Sequence, residues 1–193
     1  MIDSVEAQKV ISGHRKGAVV IATYTTNREW PQVSTNPGLD LLFAGGMGKA
    51  SSLGLGLAMA RPDMKIMVLD GDGSLLMNLG SMVTIANMAP PNLIHFVFEN
   101  GVYRTTGGQP IPGASRLSFS GFAKASGYAN VHEFEDIEGL EKRIETIMNQ
   151  MGPTFVGLKI VPSKKRPPFP YTTTNLGIIA RFRKALEDSY CDM

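Results

Sequence analysis

Short, almost uninterrupted apolar runs constrain the fold of this chain more than any other feature. They occur at 18–22, 41–44, 65–69, 92–98 and 154–161. Runs without polar alternation are typical of strands that are buried on both faces of a parallel sheet. Helical patterns separate them, at about 4–15, 47–61, 75–88 and 136–150, with a shorter helix near 119–126 and a sixth strand near 130–134. This alternation predicts a doubly wound α/β fold with a mostly parallel, six-stranded sheet and helices on both faces.

The length of the chain favours one domain. It has 193 residues, of which 43% are hydrophobic and 19% are charged, enough apolar material for a single sizeable core. The segment 162–170 contains four prolines, which lack the N–H donor that a helix or a central strand requires. We therefore expect one domain over 1–193, with a proline-rich arm at 162–170 that leads to a C-terminal helix over roughly 175–188.

Charge and cysteine content exclude several functional classes. The net charge is only +2 and the basic residues form no stripe, so we expect no nucleic-acid partner. The lone Cys191 excludes an internal disulfide framework and a cysteine-built metal cluster. We find neither an apolar stretch of membrane-spanning length nor a secretory signal, and so we expect a cytoplasmic protein with no membrane partner.

Three loops rich in glycine and small polar residues follow predicted strands, at 45–52, 70–74 and 99–103. In open α/β sheets, ligands bind beyond the carboxyl ends of the strands. In the second loop, Gly73 and Ser74 begin a helix whose unpaired N–H groups favour a phosphate. Asp72 can hold a divalent cation that bridges to phosphate, and Asn100 in the third loop adds a neutral oxygen ligand. The loops therefore predict a site for magnesium and a diphosphate.

The run Gly71-Asp72-Gly73, followed 27 residues later by Asn100, resembles the diphosphate-binding signature of thiamine-diphosphate enzymes. The loop 45–48, Gly-Gly-Met-Gly, is similar to the Gly-Ser-Met-Gly loop of that family. The segments 71–80 and 107–110 look closest to the sulfopyruvate and phosphonopyruvate decarboxylase branch. The signature usually ends in Asn-Asn, whereas this chain has Glu99 before Asn100, and we expect the Glu99 side chain to point away from the metal because adjacent strand residues face opposite sides.

The resemblance implies a role for each matching residue. Asp72, Asn100 and the carbonyl of Val102 would bind Mg²⁺, and Gly73 and Ser74 would hold the diphosphate of thiamine diphosphate. The carbonyl of Gly45 and the amide of Met47 would bind the aminopyrimidine, and the Met47 side chain would support the bent cofactor from below. The full cofactor-binding set is Gly45, Gly46, Met47, Gly71, Asp72, Gly73, Ser74, Asn100, Val102 and Tyr103.

Two arginines are candidates for substrate binding. Arg28 and Arg104 are predicted to lie in loops on the cofactor side of the sheet, where a guanidinium can bind a carboxylate, sulfonate or phosphonate through two hydrogen bonds. We place both, together with Met47, in the catalytic set.

The resemblance covers only the diphosphate-binding half of such enzymes. Their activating glutamate comes from a separate pyrimidine-binding domain, and Glu29 of this chain lies outside any pattern that resembles that half. We therefore expect a partner alpha subunit that supplies the glutamate, in a hetero-oligomer such as α2β2 or larger. The leading hypothesis is a decarboxylase of a small dianionic 2-oxo acid. Alternatives are a carboligating, acetolactate synthase-like subunit, a 2-oxo acid:ferredoxin oxidoreductase beta subunit, or a non-catalytic assembly or regulatory partner.

Overall fold

A computed structural model describes residues 1–43, 46–161 and 175–191. Two sheets account for the strands in these ranges. The bounds of the strands are β1 Ile2–Asp3, β2 Val19–Thr23, β3 Asp40–Phe43, β4 Ile66–Gly71, β5 Leu93–Glu99, β6 Val102–Tyr103, β7 Gln109–Pro110, β8 Asn130–Phe134 and β9 Thr154–Val161. β6 and β7 form a small antiparallel pair, and the other seven strands form one parallel sheet.

The main sheet runs in the order β3-β2-β4-β5-β9. Two short strands also pair with β9: β8 pairs with Thr154–Leu158, and β1 pairs with Ile160 and Val161. All six predicted strands are present, and the seventh, β1, is only two residues long, too short for its apolar pattern to be recognised in the sequence.

Helices cover both faces of the sheet. Their bounds are α1 Ser4–His14, α2 Tyr24–Glu29, α3 Ala50–Ala60, α4 Asp72–Leu76, α5 Ser81–Met88, α6 Phe119–Ser126, α7 Ile137–Asn149 and α8 Asn175–Cys191. The helix predicted over 75–88 is instead divided into α4 and α5 by a turn at 77–80. The predicted C-terminal helix corresponds to α8, whereas the proline-rich arm at 162–170 lies outside the described residues.

Alternate residues of the longer strands in the main sheet enter two separate cores. In β2, Val19 and Ile21 pack in one core with residues of α3, α5, α6 and α8. Val20 and Ala22 pack in the other core with residues of α1 and α7. This division confirms the doubly wound arrangement, because a sheet covered by helices on both faces buries both sets of side chains. Because β2, β4 and β5 are parallel neighbours, their carboxyl ends lie together at one edge of the sheet.

Candidate active site

A pocket lies at the carboxyl ends of β2, β4 and β5. Its walls come from the start of α2, the loop before α3, the junction of β4 with α4, and the segment that follows β5. The lining residues are Ser4, Thr23, Tyr24, Thr25, Thr26, Met47, Gly71, Asp72, Gly73, Ser74, Phe98, Asn100, Val102, Tyr103, Arg104, Thr105, Thr106 and Ile160. The loops that the sequence singled out therefore meet in one cavity.

Asp72 is a buried carboxylate fixed between two of these loops. Its Oδ1 accepts a hydrogen bond from the N–H of Gly73 at 2.7 Å, and its Oδ2 accepts one from the N–H of Gly101 at 2.6 Å. Gly101 has a φ of +75°, a left-handed conformation that glycine adopts without steric cost. Burial raises the pKa of Asp72, while the N–H groups of Gly101 and Gly73 oppose that shift. The carboxylate position is thus set by the backbone.

The polar oxygens beside Asp72 suit a hard cation. Asn100 Oδ1 accepts a hydrogen bond from the N–H of Val102 at 2.9 Å, and both residues line the pocket with Asp72. The carboxylate oxygens of Asp72 and Oδ1 of Asn100 each have a further lone pair that could bind a metal. The described residues contain no group of three or more His, Cys, Asp or Glu side chains that could hold a metal. A cation bound here would therefore need additional oxygen ligands, such as those of a diphosphate.

The loop that carries Met47 is attached to the start of α4 and to the turn that follows it. The N–H of Gly48 donates to Ser74 Oγ at 3.0 Å, and Asn78 Nδ2 donates to the Gly48 carbonyl at 2.9 Å. Gly48 has a φ of +75°, and a Cβ there would lie 3.0 Å from the Cβ of Asn78. These contacts hold Met47 at the pocket wall. Asn78 was missed in the sequence, although it falls within the run 71–80 that carried the resemblance.

Tyr103 forms a second wall, over the glycine that follows Asp72. A Cβ on Gly73 would lie 2.6 Å from Tyr103 Cε1, which is shorter than real side-chain contacts allow. The ring and the glycine are therefore packed so closely that a larger residue at position 73 would displace the ring from the pocket.

The structure also brings a buried acid to this site that sequence analysis set aside. Arg104 lines the pocket, and its Nη1 donates to Glu29 Oε1 at 3.2 Å. Glu29 is fully buried, and its other oxygen accepts hydrogen bonds from Ser4 Oγ at 2.6 Å and Gln8 Nε2 at 2.8 Å. No sequence motif indicated Ser4, Gln8 or Glu29, because the contacts join segments that are far apart in the chain.

Most of the predicted site residues meet in the pocket. Those brought together are Met47, Gly71, Asp72, Gly73, Ser74, Asn100, Val102, Tyr103 and Arg104. Of the described residues, Gly46 and Arg28 are not among those that line it, and Gly45 lies outside the described residues. The placement of Arg28 in a loop was wrong, and its role in substrate binding stays a prediction. Position 28 belongs to α2, where successive side chains project in different directions, and the neighbouring Glu29 is the one that faces Arg104.

Glu99, which stands where the family usually has Asn, does not line the pocket. Its Oε2 accepts a hydrogen bond from Lys159 of β9 at 2.5 Å, and Lys159 also lies 3.4 Å from Glu133 of β8. Burial raises the pKa of Glu99, and the contact with Lys159 opposes that shift. The Glu99 carboxylate is therefore held by Lys159 on the neighbouring strand and adds no ligand to the Asp72 site, as expected.

Comparison with known proteins agrees with this geometry. The family model described as "Thiamine pyrophosphate enzyme, C-terminal TPP binding domain" matches residues 18–158. The chain belongs to this family. A Mycobacterium smegmatis structure described as a candidate thiamin diphosphate-dependent enzyme superposes with a TM-score of 0.70 at 23% identity, covering 83% of this chain and 32% of that one, which supports the TPP-binding fold.

Relatives of this TPP-binding domain include decarboxylases. Phosphonopyruvate decarboxylase of Streptomyces viridochromogenes is 40% identical over 148 residues, which cover 77% of this chain. This chain spans only 36% of the length of that protein. The sulfopyruvate decarboxylase subunit beta of Methanothermobacter thermautotrophicus is 35% identical over 169 residues, which cover 87% of each chain.

None of the helices in the described part of the chain has the length and hydropathy that a membrane span requires.

Proposed function

We propose that this chain is the TPP- and Mg²⁺-binding subunit of a heteromeric 2-oxo acid decarboxylase. Its substrate would be a small dianionic 2-oxo acid such as sulfopyruvate or phosphonopyruvate. The observation that carries the proposal is a single pocket that combines the Asp72 and Asn100 oxygens with the Arg104 guanidinium. The similarity to decarboxylases of both substrates supports the same class of reaction.

In this proposal the cofactor is anchored at the β4–α4 junction. Asp72, Asn100 and the carbonyl of Val102 would bind Mg²⁺, while Gly73 and Ser74 would face the diphosphate at the beginning of α4. Met47, held by the Gly48 contacts, would support the cofactor from below. Bound thiamine diphosphate supplies the electron sink for decarboxylation, and the protein contributes orientation and a site sheltered from water.

Arg104 would bind the second anionic group of the substrate. Its side chain is only 19% exposed, so the guanidinium is partly desolvated at the pocket wall, where a charge-assisted hydrogen bond is stronger than in water. We assign this role to Arg104 in preference to Arg28, because Arg28 does not line the pocket. The guanidinium would select a sulfonate or phosphonate over the methyl group of pyruvate.

The activating glutamate would come from a separate pyrimidine-binding alpha subunit. Among the described residues, the carboxylates at this pocket are Asp72, whose two oxygens are bound by backbone N–H groups, and Glu29 behind Arg104. Both carboxylates are already held by hydrogen bonds within this chain, so neither is the expected activating glutamate. We therefore expect an assembly of two or more subunit pairs, such as α2β2, in which the partner closes over the cofactor.

The test is an assay of CO₂ release with 3-sulfopyruvate, 3-phosphonopyruvate and pyruvate, with and without a co-expressed pyrimidine-domain subunit. We expect activity only in the assembled enzyme and a preference for the dianions. Arg104→Met should lower kcat/KM for the dianions on the order of a hundredfold, the effect of losing one strong charge-assisted contact. Arg28→Met is the matched control and should change it little. Robust decarboxylation by the isolated chain, or a preference for an apolar 2-oxo acid, would contradict the proposal.

A further inference from the structure

Glu29 is a fully buried carboxylate directly behind the pocket wall. A buried charge is costly unless a partner compensates it. Arg104 is a cationic partner of Glu29, with Nη1 and Oε1 3.2 Å apart, and the arginine belongs to the pocket lining while the glutamate does not. The pair therefore connects the interior of the domain to the surface that a substrate would meet.

The second oxygen of Glu29 is fixed as firmly as the first. Ser4 and Gln8, one turn apart on α1, both donate to Oε2. Gln8 Nε2 also lies 3.2 Å from the Ser4 carbonyl, which restrains the amide itself. With one oxygen held by α1 and the other facing Arg104, the carboxylate has little freedom to rotate. An arginine bonded to it is restricted in the same way.

We propose that Glu29 is the positioning residue for Arg104, and that it thereby sets the selectivity for a dianionic substrate. This inference rests on the proposed function. A flexible arginine would lose rotamer entropy each time it bound an anion, and a guanidinium already held by Glu29 has lost that freedom beforehand. The consequence is a greater preference for sulfonate or phosphonate over pyruvate, with no effect on cofactor anchoring, which uses Asp72 and Asn100.

Two substitutions of Glu29 should weaken its contact with Arg104 to different degrees. Glu29→Gln keeps the length of the side chain and an acceptor for Arg104. Its new NH2 group must face Gln8 Nε2, which also donates to the Ser4 carbonyl, so this variant weakens the contact with α1 while it keeps the one with Arg104. Glu29→Leu removes the acceptor altogether at similar volume. Loss of positioning should therefore increase from Gln to Leu.

The experiment measures kcat/KM for 3-sulfopyruvate and for pyruvate in the assembled enzyme. We expect the ratio of the two to fall by about tenfold in Glu29→Gln and by on the order of a hundredfold in Glu29→Leu, approaching the value for Arg104→Met. Adding Glu29→Leu to Arg104→Met should change the ratio no further, because the glutamate acts through the arginine. The affinity for thiamine diphosphate with Mg²⁺, measured by calorimetry, should be unchanged.

Asp40→Asn is the control for a merely structural effect. Asp40 forms a second buried ion pair, with Arg15 at 2.7 Å, and neither residue lines the pocket. This variant should lower the melting temperature and leave the substrate ratio intact. A readout without turnover is the rate at which phenylglyoxal modifies Arg104 in the isolated chain, which should rise in both Glu29 variants.

The outcomes separate the inference from the function on which it rests. Wild-type enzyme that does not decarboxylate the dianions overturns the proposed function and the inference with it. Active wild-type enzyme whose substrate ratio stays within twofold in Glu29→Gln, or shifts equally in Asp40→Asn, overturns the positioning role alone. If Glu29→Leu does not assemble, the ratio and the labelling rate of Glu29→Gln decide.

Discussion

Gly54 on α3 provides a test of the packing between this helix and the sheet. A Cβ at position 54 would lie 2.3 Å from Val68 Cγ2 of β4, whereas carbon atoms in contact are normally about 3.5–4.0 Å apart. Val68 is fully buried in the core of that face, so it has little room to move. We expect overpacking in Gly54→Ala to cost about 3 kcal/mol, offset by about 1 kcal/mol from the better helix propensity of alanine. The net loss of stability is about 2 kcal/mol.

Gly56, two residues further along the same helix, is the matched control. A Cβ there would have no neighbour within 4 Å, and the residue is exposed. Gly56→Ala should therefore stabilise the chain by about 0.5–1 kcal/mol through propensity alone. In thermal unfolding followed by circular dichroism, Gly54→Ala should melt about 4–8 °C lower than the wild type, and Gly56→Ala about 1–4 °C higher. Equal melting temperatures for the two variants would refute the packing argument.

Two further predictions concern Asp72 and His132. Asp72→Asn should abolish Mg²⁺-dependent binding of thiamine diphosphate in calorimetry, since it removes the anionic ligand. The same variant should lose about 1–3 kcal/mol of folding stability, because the new amide NH2 must face the N–H of Gly73 or of Gly101. Unchanged cofactor affinity would show that the metal lies elsewhere. Burial lowers the pKa of His132 below its ordinary 6.5, against a hydrogen bond with Gln150. Below about pH 6.5 the unfolded chain then binds more protons than the folded one, so stability should fall as the pH decreases through this range. Urea unfolding at pH 5.5 and 7.5 should show a smaller pH effect in His132→Gln, and an equal effect in both proteins would contradict the assignment.

The sheet was predictable because its strands are buried on both faces. In β4 and β5 nearly every residue faces one of the two cores, so the apolar run itself marks the strand. The division of the 75–88 helix was not predictable in this way. Leu75, Leu79 and Met82 all contact the same core, so the apolar periodicity continues across the turn between α4 and α5. Gly80 was a local signal of the break.

The loops that we propose to bind the cofactor were predictable for a related reason. Each follows a strand directly, so the position of Asp72 or Asn100 in the chain determines its position at the edge of the sheet. Glycines in those loops add a second signal, because the turns need conformations or close approaches that other residues resist. Local sequence therefore contained most of the information about the cofactor side of the pocket.

The arginine that we propose to face the substrate could not be chosen from such local signals. Arg28 and Arg104 both follow predicted strands and carry the same charge. The two arginines are distinguished by the orientation of α2 about its own axis. This orientation directs Glu29, rather than Arg28, toward Arg104. Glutamate is seldom fully buried, so the sequence alone gives no reason to expect Glu29 in the interior of the domain. The contact also joins residues 75 positions apart and needs the register of β2, β4 and β5 to bring their ends level. Charge pairs of this kind become visible only when the sheet is assembled, and for that reason the residue inferred to govern selectivity was the one that the sequence set aside.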